Sequence, residues 1–591
     1  MAYIGSPAAP TIATVSDDTI TTAKIADDAV TAAKISNTED IVVNGLTVGK
    51  GAGDVANNTV LGTGAMAANT TGGSTAIGGN ALAANTTGLY NTAVGLLALE
   101  DNNGDQNVAV GQASLRENTS GGTNTAIGNS SLRFNTTGSS NTALGNSALN
   151  ANTTASYNTS VGYQSLYSNT AGYNTAVGHQ SLQDNTTGTP NTAVGAFALG
   201  NNTTAANNTA VGYAALFDVT TGGGNTALGK SAAENLTTGT SNIVVGYNAL
   251  FTGTTVANSV AIGASALYAA TANDNVGIGE SALRYNTTGT LNTAVGARAG
   301  YNNTTGNENT YYGTYAGYSN TTGTLNTAIG KSAAYNNTTG TNNTWLGMNT
   351  GYFNTTGSQN TFIGKDAGAQ TTIGSANTAV GFQALGSSNR TSDDNDANTA
   401  VGYQAGTSKT TGNNNVFIGK SSGTSFTSGS SSIYIGQGTG ASSGGVSNEI
   451  VVGTQIQGKG SDTGYGKGTW YQGNNSSSWS TVSDRRLKKN IVDNTEGLEK
   501  INALQVKNFE YRLSEEVTEL DQSNAINKAG VQLGVIAQEL QEVCPDCVKE
   551  ESTGVLSVNT DNLTWHMINA IKQLSAKCDS LQAEIDILKG N

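Results

Sequence analysis

Of 591 residues only 3 are cysteine and 4 are proline, charged residues make up 12% and aromatic ones 6%. The cysteines are Cys544, Cys547 and Cys578, so most of the chain has no disulfide to hold it. Four prolines exclude collagen and a proline-rich linker. No run of about 18 apolar residues is present, which excludes a membrane-spanning helix and predicts no membrane insertion. The opening M-A-Y-I-G-S-P-A-A-P lacks the cationic and apolar regions of a secretory signal, so synthesis in a cytosol is expected. The net charge of −14 leaves no basic footprint for nucleic acid. With 36% hydrophobic residues the chain is too lean for most globular enzymes, yet it holds 77 glycines, about twice the usual share. A regular structure must use them.

Charge divides the chain. Residues 483–591 hold 12 of the 27 Lys and Arg and 18 of the 41 Asp and Glu, so this stretch is a different kind of protein from what precedes it. Between Asn58 and Gly453 one phrase recurs, N-T-A-V-G-x-x-A-L-x-x-N-T-T-G-x-x, with 24 copies of its first glycine from Gly62 to Gly453. The spacing is 17 residues in eighteen intervals, 16 in four and 21 once, between Gly381 and Gly402. A fixed period of this size marks a solenoid whose copies bury apolar surface only against their neighbours. Seventeen residues cannot hold two helices and a turn, and Gly, Asn and Thr are poor helix formers. Segments such as Thr92-Ala93-Val94 suit a short strand, while N-T-T-G and the glycine after Val or Ile suit left-handed corners. The expected fold is mainly β: an elongated parallel β-solenoid or β-roll shaft with Ala, Val, Ile and Leu in a thin core and stacked Asn ladders. Three chains side by side would each bury one more face, so a homotrimer is expected.

The phrase resembles the head repeats of trimeric autotransporter adhesins, as in Ser259-Val260-Ala261-Ile262-Gly263, which implies a trimeric left-handed β-roll. It also looks like the shaft repeats of phage tail fibres. Residues 17–36 carry a ten-residue repeat, D-D-T-I-T-T-A-K-I then D-D-A-V-T-A-A-K-I, placing Ile20 over Val30 and Ile25 over Ile35. Similar repeats near fibre N-termini imply an attachment segment that docks on phage baseplate or tail proteins. Within the shaft, each N-T-T is formally a glycosylation sequon, but a turn is the plainer reading. Tyr163, His179, Tyr213, Tyr247, Phe382 and Tyr403 are read as a packing or rim ladder before a sugar-binding stripe. Asp393, Asp394 and Asp396, in the 21-residue interval, are read as a solvated bulge before a cation site.

From Ser483 the text becomes S-D-R-R-L-K-K-N-I, and Gly534 to Leu540 read G-V-I-A-Q-E-L, followed by Glu542-Val543-Cys544-Pro545. These two motifs, in this order, resemble the intramolecular chaperone domain of phage endosialidases over residues 483–591. That resemblance implies an α+β domain that trimerises a β-rich fibre and then cuts itself off between Val482 and Ser483. It implies Ser483 as nucleophile and Lys488 as general base, with Arg485, Arg486 and Lys489 as neighbouring cations that favour a neutral lysine. Met567, Ile571, Leu574, Cys578, Leu581, Ile585 and Leu588 alternate by four and three, the seam of a trimeric coiled coil, with Cys578 as a core position. Cys544-Pro545-Asp546-Cys547 has redox spacing, but with only His179 and His566 in the chain and no second Cys pair, neither a metal site nor any cofactor is expected.

The expected organisation is an attachment segment over 1–50, a shaft over 51–453, an aromatic tip or linker over 454–482 and a chaperone over 483–591. Near-identical coils invite pairing one coil out of register, and a C-terminal trimer would fix the starting register. The sequence therefore reads as a homotrimeric phage tail fibre of the virion, made in the host cytoplasm and binding a host cell-surface glycan or protein. Trp470, Tyr471 and Trp479, beside Tyr465 in the stretch that abandons the period, are the candidate receptor-binding residues. Its only expected enzymatic step is autoproteolysis. A bacterial surface adhesin would need an export signal, and a polysaccharide-degrading tailspike would need paired carboxylates.

Overall fold

The computed structural model describes residues 41–43, 46–52, 55–386, 396–466, 485–520, 522, 525–526, 528–550 and 554–590. The ten-residue repeats, Asp393 and Asp394, the candidate tip residues Trp470, Tyr471 and Trp479, and the Val482–Ser483 bond lie outside them. The chain divides into two units, Met1–Ser265 and Ala266–Asn591.

In the first unit, β1 (Ile41–Val43) pairs antiparallel with β2 (Leu46–Gly49), which pairs antiparallel with β3 (Thr59–Leu61). From β3 every repeat adds a short strand parallel to the last, in register, up to Val260–Ile262. Thr125 lies beside Thr142, Ala126 beside Ala143 and Ile127 beside Leu144. This is a parallel β-solenoid. The middle residue of each strand points inward, and Ala76, Ala93, Ala109 and Ala126 are fully buried with Leu82, Leu99, Leu115 and Leu132.

In most coils two buried asparagines bind the turns together, with residues such as Ser74, Val219 and Leu236 standing in elsewhere. Asn107 Oδ1 accepts the backbone N–H of Asn124 at 2.9 Å, while its Nδ2 donates to the Gly121 carbonyl at 2.8 Å. The N-T-T asparagines form the second ladder: Asn118 Nδ2 donates to Asn102 Oδ1 at 2.6 Å, and Asn135 Nδ2 donates to Asn118 Oδ1 at 2.7 Å. An amide side chain offers both donors and an acceptor, so it can pass the same hydrogen bond from coil to coil, and the ladder leaves buried amide atoms unpaired only at places such as Asn152 Oδ1, Asn202 Oδ1 and Asn354.

The corners differ from the sequence expectation in one respect. The glycine after Val or Ile is left-handed, with φ of 133° at Gly111. A Cβ there would lie 2.5 Å from the Gly128 carbonyl oxygen, so the backbones of adjacent coils leave no space for one. The N-T-T-G glycine at Gly121 is not a positive-φ residue; glycine is needed there because a Cβ would run into the Gly138 carbonyl oxygen of the next coil and would also lie 2.6 Å from Asn118 Oδ1. The remaining left-handed corners are filled by ordinary residues such as Leu115 (φ 49°) and Ser130 (φ 54°). Burial of the leucine and in-register pairing over-determine a conformation that costs an isolated L-residue about 1 kcal/mol or more.

In the second unit the same ladder runs from Val276–Ile278 to Gly464–Gly466. Across the 21-residue interval Thr378 still pairs with Thr399, and Asn398 N–H donates to Asn377 Oδ1 at 3.0 Å. The extra residues therefore leave the ladder intact. Asp396 is used within it, accepting the Ser375 N–H at 2.5 Å. Several strands here carry a buried ring in place of alanine: Tyr311, Trp345, Phe362, Phe417 and Tyr434. The space comes from glycine at the position leucine holds elsewhere, as with Gly300 beside Tyr311 and Gly406 beside Phe417. Buried Glu449 takes over the asparagine position, accepting from Tyr434 Oη at 2.8 Å and from Gly460 N–H at 2.8 Å.

The C-terminal residues of this unit form an α+β region. Helix α1 (Leu498–Ala503) precedes a strand, Lys507–Phe509, antiparallel to Gln532–Gly534. Helix α2 (Ala537–Val543) follows, then a hairpin of Val548–Glu550 with Leu556–Val558, then the 29-residue α3 (Thr560–Leu588). Its small core is Leu540, Cys544 and Cys547, packed by Leu504, Val535, Val548, Val558 and Leu563.

Candidate functional site

The G-V-I-A-Q-E-L motif is a strand-to-helix junction. Gly534 ends a strand, Ile536 caps α2, and the first turn of α2 brings Leu540 into the core. Glu539 on the outer face pairs with Lys507 at 2.5 Å. Helix α3 starts at Asn559, whose Oδ1 accepts from the Asp561 and Asn562 N–H groups, an N-cap reinforced by Asp561 in the first turn. The loop before α1 is strapped to α3: Gln573 Oε1 accepts from Leu498 N–H at 2.6 Å, and Asn569 Nδ2 donates to the Asn494 carbonyl at 2.8 Å.

Past Ala570, α3 touches little of its own chain. Met567, Ile571, Leu574, Leu581, Ile585 and Leu588 are all exposed, and so is Cys578. Cys578 is expected in the core of a trimeric coiled coil; in the single chain it is exposed with the rest of the seam. An apolar stripe of this length on an isolated helix needs partners.

Of the nominated dyad, the described residues contain Lys488. It is exposed, follows the 3-10 turn Arg485–Leu487, and donates its N–H to the Arg485 carbonyl at 3.2 Å.

Residues 483–549 match the family described as chaperone of endosialidase. They form a chaperone-of-endosialidase domain. The matched stretch begins at Ser483, takes in both motifs and ends at Lys549, leaving α3 beyond it. The chain is thus a β-solenoid followed by a trimerisation chaperone, and that family points to a homotrimer.

A second cluster lies in the domain's core. Cys544 and Cys547, joined as a disulfide, flank Asp546, and α3 brings His566 against them. His566 Nε2 lies 2.9 Å from Asp546 Oδ2, and its Nδ1 lies 3.1 Å from the Glu496 carbonyl. These bonds, led by the one to Asp546, raise the His566 pKa above its ordinary 6.5. The Asp546 carboxyl is lowered, chiefly by His566 and further by Lys500. Sequence reasoning set His566 aside because it counted ligands along the chain; only the fold brings α3 onto the end of α2.

On the shaft, the aromatic residues singled out from sequence do stack in part. Tyr163 and His179 lie 5.2 Å apart, as do Phe382 and Tyr403. A longer ladder was missed: Tyr301, Tyr318, Tyr335 and Tyr352 stack at 5.0 to 5.1 Å with planes within 10°. Its signal was present as tyrosine recurring at one repeat position.

Proposed function

We propose that this chain is a homotrimeric phage tail fibre, a virion protein that contacts a host cell surface and whose chaperone releases itself by serine-lysine autoproteolysis. The observation that carries the reading is the order of parts: a long run of near-identical coils ending in a trimerisation chaperone. Identical coils give almost no local penalty for pairing out of register, so a device that sets register is needed at one end. Support for a trimeric shaft comes from the strand faces. The third residue of each strand points outward and is usually aliphatic, so Ile77, Ile127, Leu144, Val194 and Leu228 form an exposed apolar row in the first unit. Leu346, Val401, Ile418 and Ile435 do the same in the second. A second and third copy are the natural cover for this row and for the α3 seam.

Release follows ordinary acyl-transfer chemistry. Neutral Lys488 takes the proton of the Ser483 hydroxyl as its oxygen attacks the Val482 carbonyl carbon; the amide C–N bond breaks, the serine nitrogen keeps the returned proton, and an ester remains. Water then hydrolyses the ester, leaving a shaft that ends at Val482 and a domain that begins at Ser483. Losing the trimeriser removes the route back to separate chains and makes the shaft kinetically stable. The N-terminal segment would dock on baseplate or tail proteins. Adhesion is tested by incubating host cells with purified protein before infection: blocked adsorption without hydrolysis of surface glycan is expected. Glycan release would instead favour a depolymerising spike.

A further inference from the structure

We propose that the reduced Cys544–Cys547 pair, together with His566 and Asp546, is a structural binding site for a zinc-class divalent cation. Their four ligand atoms all lie within 4.8 Å of one another, close enough to converge on one ion with small side-chain adjustments. Cys544 and Cys547 are buried and His566 is 3% exposed, while Asp546 is exposed, so three ligands are held in the interior and the carboxylate closes the site from the solvent side. The backbone already makes a cysteine knuckle: Cys547 N–H donates to the Cys544 carbonyl at 2.9 Å across the Pro545–Cys547 turn.

Hydrogen bonding around the imidazole points the same way. The Glu496 carbonyl and the Asp546 carboxylate can each only accept, so His566 donates from Nδ1 to Glu496 and from Nε2 to Asp546 Oδ2, and Nε2 is the nitrogen that can exchange its proton for an ion. A ring nitrogen fixed through its other N–H by a backbone carbonyl is the arrangement that orients histidine ligands. Cys544 Sγ lies 3.2 Å from Asp546 Oδ1, so carboxylate, sulfur and imidazole surround one point. Lys500 Nζ, 3.6 Å from Asp546 Oδ1, offsets the charge left when two thiolates and a carboxylate meet one dication. Two sulfurs with an imidazole favour zinc over calcium or magnesium.

The balance is simple. A thiol reductant, itself oxidised to a disulfide, delivers two electrons and two protons to the Cys544–Cys547 bond. The dication then binds both sulfurs and His566 Nε2, displacing the two thiol protons and the Nε2 proton that the Asp546 carboxylate holds in the metal-free pair. In the reducing cytosol where a chain like this assembles, the dithiol is the expected form. The ion would pin α3 to the end of α2 in a domain whose own core is only a few residues, and structural metal is a common supplement there.

The test uses the full chain purified in a phosphine reductant without chelator, with metal measured by mass spectrometry and counted per chaperone domain. Cobalt(II) is then exchanged in and its spectrum recorded. One zinc per domain and an intense thiolate-to-cobalt charge-transfer band are expected, both unchanged in Cys578→Ser. Cys547→Ser should abolish the band, and His566→Gln should weaken cobalt binding at least about tenfold, with helix content by circular dichroism retained. Should a variant fail to fold, the wild-type spectrum decides. Absence of a thiolate-cobalt band in the reduced wild type, or full metal content in a folded Cys547→Ser chain, overturns the proposal.

Discussion

Replacing Asn118 with alanine removes one rung of the inner asparagine ladder and nothing else. The side chain donates to Asn102 Oδ1 at 2.6 Å and to the Gly121 carbonyl at 2.7 Å, and accepts from Asn135 Nδ2 at 2.7 Å. Each partner keeps a second contact: Asn107 Nδ2 donates to both Asn102 Oδ1 (3.2 Å) and Gly121 O (2.8 Å), and Asn135 Nδ2 also donates to Gly138 O at 2.9 Å. The loss is therefore three buried hydrogen bonds at about 1 kcal/mol each, with no group fully orphaned. About 3 kcal/mol corresponds to roughly a hundredfold in local opening. Coils contact only neighbours, so the effect should be local. Amide exchange in a peptide covering 102–135 should accelerate about a hundredfold, while 303–337 is unchanged. Asn118→Asp discriminates further, because a buried carboxylate facing two acceptors should be worse than alanine at neutral pH. Unchanged exchange in Asn118→Ala, or an Asn118→Asp chain as protected as the parent, would refute the ladder as a source of stability.

Gly111→Ala should be more damaging, since the Cβ meets the Gly128 carbonyl at a φ of 133°; the heat resistance of purified shaft should fall clearly below that of Asn118→Ala. A chain ending at Val482 from the start should yield aggregated or misregistered shaft, and efficient recovery of heat-resistant trimer would make the chaperone dispensable. Trp470→Ala combined with Trp479→Ala should abolish adsorption to host cells while the trimer stays heat-resistant, and full adsorption by a folded double variant would move the receptor site elsewhere.

The solenoid was legible because the coils repeat one solution: a glycine at a fixed position recurs 24 times, in most coils with a small inward residue and amides at fixed distances from it. What the repeat hid was which glycine does what. Composition equates Gly111 with Gly121, yet both are crowded by the backbone of the next coil and only Gly111 also needs a left-handed φ. Leucine at φ near 50° is invisible to propensity, because only stacking makes it affordable. The exchange of Leu for Gly beside Tyr311 and Phe417 is a packing relation between coils that a consensus averages away. Along α3 the apolar spacing of four and three was readable from the sequence, whereas the exposure of those side chains in the single chain was not. His566 was overlooked because the contact that gives it a role closes between elements rather than along the sequence.

The central claim is that a register-setting chaperone assembles three shafts and then leaves. Native mass spectrometry of the protein as expressed, with N-terminal sequencing of any smaller product, tests it most directly. The account predicts a trimer of chains ending at Val482, a separate domain beginning at Ser483, and uncut trimers from both Ser483→Ala and Lys488→Ala. A monomeric shaft, or cleavage that persists in either variant, would contradict it.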